Sequence, residues 1–498
     1  MKRILILLAL LLTVPALGLV TANYVQSQND DQLRQALREQ YPDAPADKLA
    51  AVTVTALCAE RTTEIEEVCS TNDTLALMKG ASGWAIGIGL ALLLLIRLAG
   101  TVAKGDRTTL LWIFKPGLYL TAAVLVGLVL THAALAIGTI YYGEAALVGR
   151  VHFGILLAIG IGAILGAFAI IRHSFAILHN ATTEAIGISL SRADAPALWA
   201  AIDNTAGKLG SLVPDHAVIG LEPNFYVTEA NVTCLSGSLR GRTLYCSLPL
   251  ARIMSRDEFI SVIGHELGHF KGEDTKFSAK FYPIYRGTTD SLNALRHYGG
   301  EGAAGLALLP AIGIFGYFLD SFSTAESRIS RERELAADRE GASVATSSAI
   351  AAALVKLHAF SGVWNDLQLA AVDALKEGHY FPNMSKLFAE RAAEIATPEV
   401  LDGIDTSHLS HPTDSHPSLA TRLQALGLSI ADVSEASLRV PPQDSAISLF
   451  ENLEECEEGL SEQAQLHLAN LCGIHLPEQA QSADASSQAG QGSKDARG

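Results

Sequence analysis

The chain of 498 residues is 49% hydrophobic and only 18% charged, with a positive mean hydropathy; that balance excludes a single water-soluble domain and calls for a membrane region joined to globular parts. A net charge of −16 without any lysine/arginine block excludes nucleic acid as a partner. Six cysteines fall into local pairs, Cys58/Cys69, Cys234/Cys246 and Cys456/Cys472, none with CxxC spacing. This argues against cysteine-bound structural zinc and leaves local disulfides open, Cys58/Cys69 foremost.

In chain order, Lys2 and Arg3 precede the uncharged run Ile4 to Val20, the pattern of a signal anchor or of a signal peptide with a cut after Ala22. Either way residue 24 onward is sent across the membrane. Residues 24–80 are acidic and polar with leucine and alanine at helical spacing, which predicts a small helical domain outside the membrane. Three further apolar runs follow within 81–178: 81–96 closed by Arg97, 116–142 interrupted only by His132, and 152–171 closed by Arg172. Each is long enough to cross a bilayer at about 20 residues per span. Lys2, Arg3, Arg97, Lys104, Arg107 and Lys115 flank alternate ends of these runs, whereas "YYGEAALVGR" is poor in positive charge. By the positive-inside rule four crossings return the chain to the cytoplasm at Arg172. If one run were a buried core helix, this topology would flip.

From about residue 180 to 430 the composition is that of a folded domain. "SRADAPALWAAIDNTAGKLG" has a helical period, and "NFYVTEANVTCLSGSLRGRTLYCSLPL" alternates as a β-hairpin over about 230–248 that would set Cys234 opposite Cys246. An apolar segment at 302–322 contains Pro310 and Asp320. An acidic helical extension is predicted at 440–480 and a low-complexity, disordered tail at 481–498.

The chemistry centres on "SRDEFISVIGHELGHFKGED". Ser255 and Glu258 form a capping box that starts a helix. On it His265 and His269 project from one face a turn apart, close enough for one zinc ion, with Glu266 rotated beside the vacant coordination position. A hydrolytic zinc needs a third protein ligand, for which Glu334 in "SRERELAADRE", with Asp338 one turn on, is the candidate. By itself that stretch also reads as a solvated, charged helix. The overall reading is a mostly α (α+β) chain of transmembrane helices followed by a helical, zincin-type catalytic domain with a small antiparallel hairpin.

The ordered set "HELGHFKGED", "SRERELAAD" and "SHPSLATRLQAL" resembles the membrane zinc metallopeptidases that include the HtpX heat-shock proteases and the CaaX prenyl proteases, over roughly residues 180–427. The resemblance implies that His265, His269 and Glu334 ligate one Zn2+ per chain and that Glu266 is the general base. It also implies that Asp274 and Asp338 orient ligand histidines, that His416 hydrogen-bonds the developing oxyanion with Arg422 nearby, and that Asn231 lies on a substrate-side strand. Extended substrate would then add to the hairpin edge as an extra strand. One departure stands out: HtpX-type proteins have two spans between the motif helix and the glutamate ligand, whereas only 302–322 is apolar enough here. A single crossing would put His269 and Glu334 on opposite faces, so the segment is expected to be re-entrant, interfacial or buried, with Pro310 and Asp320 marking a broken insertion. CaaX-type enzymes have more spans, so a prenyl-protein substrate is not implied.

The expected function is a multi-pass zinc metalloendopeptidase of a bacterial-type inner membrane, facing the cytoplasm and acting on polypeptides, including membrane proteins. Two alternatives stay open: a zinc-binding membrane scaffold or chaperone with vestigial activity, and a site facing outward, which the local cysteine pairs motivate.

Overall fold

The computed structural model describes residues 2–176, 182–272, 275, 289, 292–293, 303–397, 417–433, 438 and 444–474. They belong to two compact units, Met1–His179 with Pro283–Glu326, and Asn180–Tyr282 with Ser327–Gly498.

Among the described residues, unit one has four helices long and apolar enough to cross a membrane: α1 (Lys2–Gln40), α4 (Glu66–Val102), α5 (Arg107–Leu147) and α6 (Phe153–Ala176), with short α2 (Ala46–Ala51) and α3 (Val54–Leu57) between the first two. At 1.5 Å per residue, α1, α4 and α5 are about 55–60 Å long, nearly twice the hydrocarbon thickness. The boundary expected near residue 23 therefore lies inside α1, and the one near 80 lies inside α4. The cause is local: no glycine or proline interrupts residues 22–41, so the polar continuation keeps the helix of the apolar run until Pro42. Cys58 and Cys69 form a disulfide, joining the end of α3 to the first turn of α4. Within the apolar part, buried His132 sets its ring nitrogens 2.8 Å from the Leu128 carbonyl and 3.1 Å from the Leu11 carbonyl. The polar interruption read in the third run thus ties α5 to α1, as expected of polar groups shielded from lipid.

The apolar segment at 302–322 is carried by a 42-residue helix, α10 (Ala303–Val344), that is unbroken at Pro310. Losing one intrahelical hydrogen bond at a proline does not stop a helix held by packing: Phe318 stacks on Phe114 at 5.4 Å and Phe322 meets its edge at 5.1 Å. The expected broken insertion is therefore corrected to a continuous helix. His269 and Glu334 lie in the same unit.

Unit two holds two small sheets. Strands β1 (Thr182–Glu184), β5 (Asn231–Cys234) and β6 (Gly237–Leu239) form one, in the order β1-β5-β6; β2 (Gly187–Leu190), β3 (His216–Gly220), β4 (Tyr226–Thr228) and β7 (Thr243–Ser247) form the other, in the order β2-β3-β7-β4. The β3/β7 and β1/β5 pairs are parallel. The hairpin is thus shorter than 230–248: β5 turns into β6, while β7 joins a different sheet. Cys234 and Cys246 do not face each other, and both are free, buried thiols. A tight two-residue turn and a long-range parallel partner outcompete the local alternation.

Helices α7 (Pro196–Leu209), α8 (Leu248–Ile253), α9 (Arg256–Lys271), α11 (Ser347–Ala359), α12 (Ser361–Lys376), α13 (Met384–Ile395), α14 (Leu419–Ala425) and α15 (Leu453–Cys472) surround one apolar core. Phe259, Val262, Ile263 and Leu267 of α9 are buried there with Leu244, Ile350 and Leu354. The acidic carboxy-terminal helix α15 is part of this packing. Glu457, fully buried, accepts hydrogen bonds from Arg252 Nε at 2.7 Å and Asn383 Nδ2 at 2.8 Å.

Candidate metal centre

Helix α9 starts at the capping box expected from its sequence: the Ser255 amide donates to Glu258 Oε2 at 2.7 Å, and the Glu258 amide donates to Ser255 Oγ at 3.3 Å. Lys356 of α11, fully buried, donates from Nζ to the same Glu258 oxygen at 2.7 Å and to the Ile253 carbonyl at 2.9 Å. Burial pushes the Lys356 ammonium below its ordinary pKa while Glu258 holds it up. This ion pair was missed from sequence. Its signal was a single lysine inside the apolar run "SSAIAAALVKLHA".

Glycines set how closely α9 and α10 cross. A Cβ at Gly264 would sit 2.4 Å from Val344 Cγ2, and one at Gly341 would sit 2.6 Å from the Ser261 carbonyl oxygen. With hydrogen in place of these methyl groups, the backbones approach enough for side chains from both helices to meet.

They meet at His265, His269 and Glu334, whose ligand-capable atoms all lie within 4.8 Å of one another. His265 Nε2 is 3.7 Å from Glu334 Oε2, and His269 Nε2 is 3.6 Å from Glu334 Oε1. These separations are too long for hydrogen bonds. They match the spacing of neighbouring donors around a tetrahedral ion, about 3.3 Å for ligands some 2.0–2.1 Å from zinc. His265 Nδ1 lies 2.9 Å from Asp338 Oδ1, which fixes the tautomer that leaves Nε2 as a lone-pair donor. Asp338 is in turn gripped by Arg422, with Nε donating to Oδ2 at 2.8 Å and Nη2 to Oδ1. Burial would raise the Asp338 carboxyl, but Arg422 and His265 outweigh it and hold it below its ordinary pKa. For Arg422, burial works against the charge while Asp338, Glu334 and Glu266 keep the guanidinium above its usual value. Glu266 is buried on α9 between the two histidines. Burial, reinforced by Glu266, drives the nearby Cys246 thiol well up.

Five of the residues singled out from sequence as catalytic, ligating or orienting groups are thus brought together: His265, Glu266, His269, Glu334 and Asp338. Arg422 joins them through Asp338. Asp274 and His416 lie outside the described residues. Asn231 is not at a free edge: it begins β5, the middle strand of its sheet, paired in register with Thr182 of β1. Among the described residues, the edge strand next to β7 is β4.

The fold and donor set define the class, a helix-borne HExxH centre completed by a glutamate from a second helix. Residues 227–428 match the family model for peptidase family M48. A protein named protease HtpX homolog from Pyrobaculum aerophilum is 28% identical over 250 residues, 48% of this chain and 64% of its own length. Another of that name from Archaeoglobus fulgidus is 26% identical over 231 residues, 45% of this chain and 64% of its own. A third, from Thermococcus kodakarensis, is 29% identical over 242 residues, 41% and 77% respectively. The chain therefore spans a little under two thirds of the first two relatives. No solved structure matches it.

Proposed function

We propose that the protein is an integral-membrane zinc metalloendopeptidase acting on polypeptides, membrane proteins among them, from the cytoplasmic face of a bacterial-type inner membrane, in protein quality control. The observation that carries this reading is the convergence of two imidazoles and a carboxylate from separate helices on one point, a donor set suited to zinc. His265, His269 and Glu334 would hold the ion. When bound, zinc supplies a Lewis acid that acidifies a water and polarises the scissile carbonyl.

The protein's own groups do the rest. Glu266 takes the water's proton and returns it to the leaving amine, with no covalent intermediate. Asp338 keeps the Nδ1 proton on His265, and Arg422 keeps Asp338 ionised. By the family resemblance, Asp274 orients a ligand histidine and His416 donates to the developing oxyanion. Extended substrate would add to the edge strand β4, in preference to the interior strand that carries Asn231.

Two observations support the membrane orientation. Positive residues flank the ends assigned to the cytoplasm, and the disulfide lies in the segment assigned to the other side.

The test is Glu266→Gln in the full chain, with zinc content and cleavage of an unfolded membrane-protein substrate measured together. We expect retained zinc and a loss of cleavage of at least 1,000-fold, on the order of a general base's contribution. Unchanged cleavage or phenotype with zinc retained would leave a zinc-binding scaffold as the better reading.

A further inference from the structure

Unit one carries a groove of about 480 Å³ on the segment between its first two apolar runs. Helix α1 presents Leu33 and Ala36, three apart on one face. Ile65, just before α4, and Val68 in its first turn line the same groove at the same spacing, with buried Val54 of α3 as floor beside Leu57 and with Glu67 exposed. Two helical stripes over an apolar floor make a trough that suits a third helix. Val68 is left 44% exposed, so the trough offers apolar surface rather than burying it.

The walls are fastened beforehand. The disulfide joins Cys58, next to Leu57, to Cys69, next to Val68. Asp30 Oδ1 accepts from the Val54 amide at 2.7 Å, and Arg34 Nε donates to the Val52 carbonyl at 3.0 Å. A pre-formed groove loses little entropy on binding.

Charge selects the occupant. Residues 24–80 carry ten acidic against five basic residues, a net −5, and two of the bases already pair internally: Arg34 with Asp31, and Arg61 with Glu66 and Asp73. The lining contributes Glu67, and the residues next to it in the chain include Asp30, Asp31, Glu64 and Glu66; a segment of this charge repels anionic lipid headgroups and a second copy of itself, and attracts lysine and arginine. We propose that this trough is a docking site for a cationic amphipathic helix of another polypeptide, its apolar face on Leu33, Leu57 and Val68 and its basic flanks towards Glu67 and the acidic segment around it. The proposal does not rest on the peptidase reading.

The test uses the full chain bearing Glu266→Gln, so that the probe stays intact whether or not the chain is a peptidase, in phosphatidylcholine nanodiscs with empty discs as reference. The probe is a fluorescent leucine/lysine amphipathic helix of about 14 residues, roughly four turns, compared with its leucine/glutamate counterpart. Expected are saturable binding above empty discs and at least tenfold weaker binding of the anionic peptide. Glu67→Lys and Val68→Lys, both at exposed positions, should each weaken binding about tenfold, and reduction of the disulfide should weaken it further. The idea is overturned if empty discs bind equally, if both substitutions are without effect, or if a photo-crosslinker at Val68 joins two copies of the chain.

Discussion

Asp338 shows how a carboxylate that looked like one of several in "RERELAADRE" acquires a specific task. It is fully buried, it accepts from Arg422 and it holds Nδ1 of His265. Asp338→Asn keeps an oxygen for the imidazole but turns an amide towards the guanidinium, so zinc affinity should fall by roughly 10- to 100-fold, read by competition with a fluorescent chelator. Asp215 makes a separate prediction at the same scale. Arg242 bonds it through Nε at 3.1 Å, Nη2 at 2.8 Å and its backbone amide at 2.9 Å, and these bonds lower its pKa to about 2. A depressed carboxylate stabilises the fold above the unfolded value of 3.8, and that contribution disappears as pH falls towards 2. Asp215→Asn should therefore lower the unfolding midpoint at pH 6, and the gap to the unsubstituted protein should close between about pH 4 and pH 2. A gap independent of pH would remove the ion pair as its cause.

At the scale of elements, the centre depends on how closely α9 and α10 cross. Local signals placed α9 well, because the capping box and the i, i+4 histidines are properties of the fifteen consecutive residues from Ser255 to His269. The glycines that permit the crossing were in plain view as Gly264 and Gly341, yet their purpose depends on the partner helix. Gly264→Ala would drive a methyl into Val344, so the helices must separate by a few tenths of an ångström or more. Overpacking of this kind costs about 1–3 kcal/mol, and the separation should cut zinc affinity at least tenfold while the helical circular dichroism stays intact. Unchanged affinity would show that the crossing tolerates the methyl. Lys356 and Glu258 brace the other end of α9 as a buried pair. Lys356→Ala should destabilise unit two by about 3–5 kcal/mol, the cost of leaving a buried carboxylate without its partner, seen as a lower denaturation midpoint.

At the scale of the molecule, topology links the cysteines to function. Cys58 and Cys69 are paired in unit one, whereas Cys472 is an exposed free thiol at the end of α15 in unit two. If the orientation proposed above holds, a membrane-impermeant maleimide should leave Cys472 unlabelled in intact spheroplasts and label it after permeabilisation. Labelling of intact spheroplasts would turn the centre outward.

The sequence alone determined what short-range physics encodes: four runs apolar enough for a bilayer, a capped helix bearing two histidines and a glutamate, and a second charged helix offering Glu334 and Asp338. Tertiary structure decided the long-range matters. It brought Glu334 to His265 across 69 residues of chain, drew β7 away from the expected hairpin into another sheet, and packed the acidic carboxy-terminal helix against Arg252. The division follows from the forces involved. Helix caps, periodicity and hydropathy act over a few residues, whereas backbone approach at glycines and pairing of buried charges depend on segments that only the folded chain brings together.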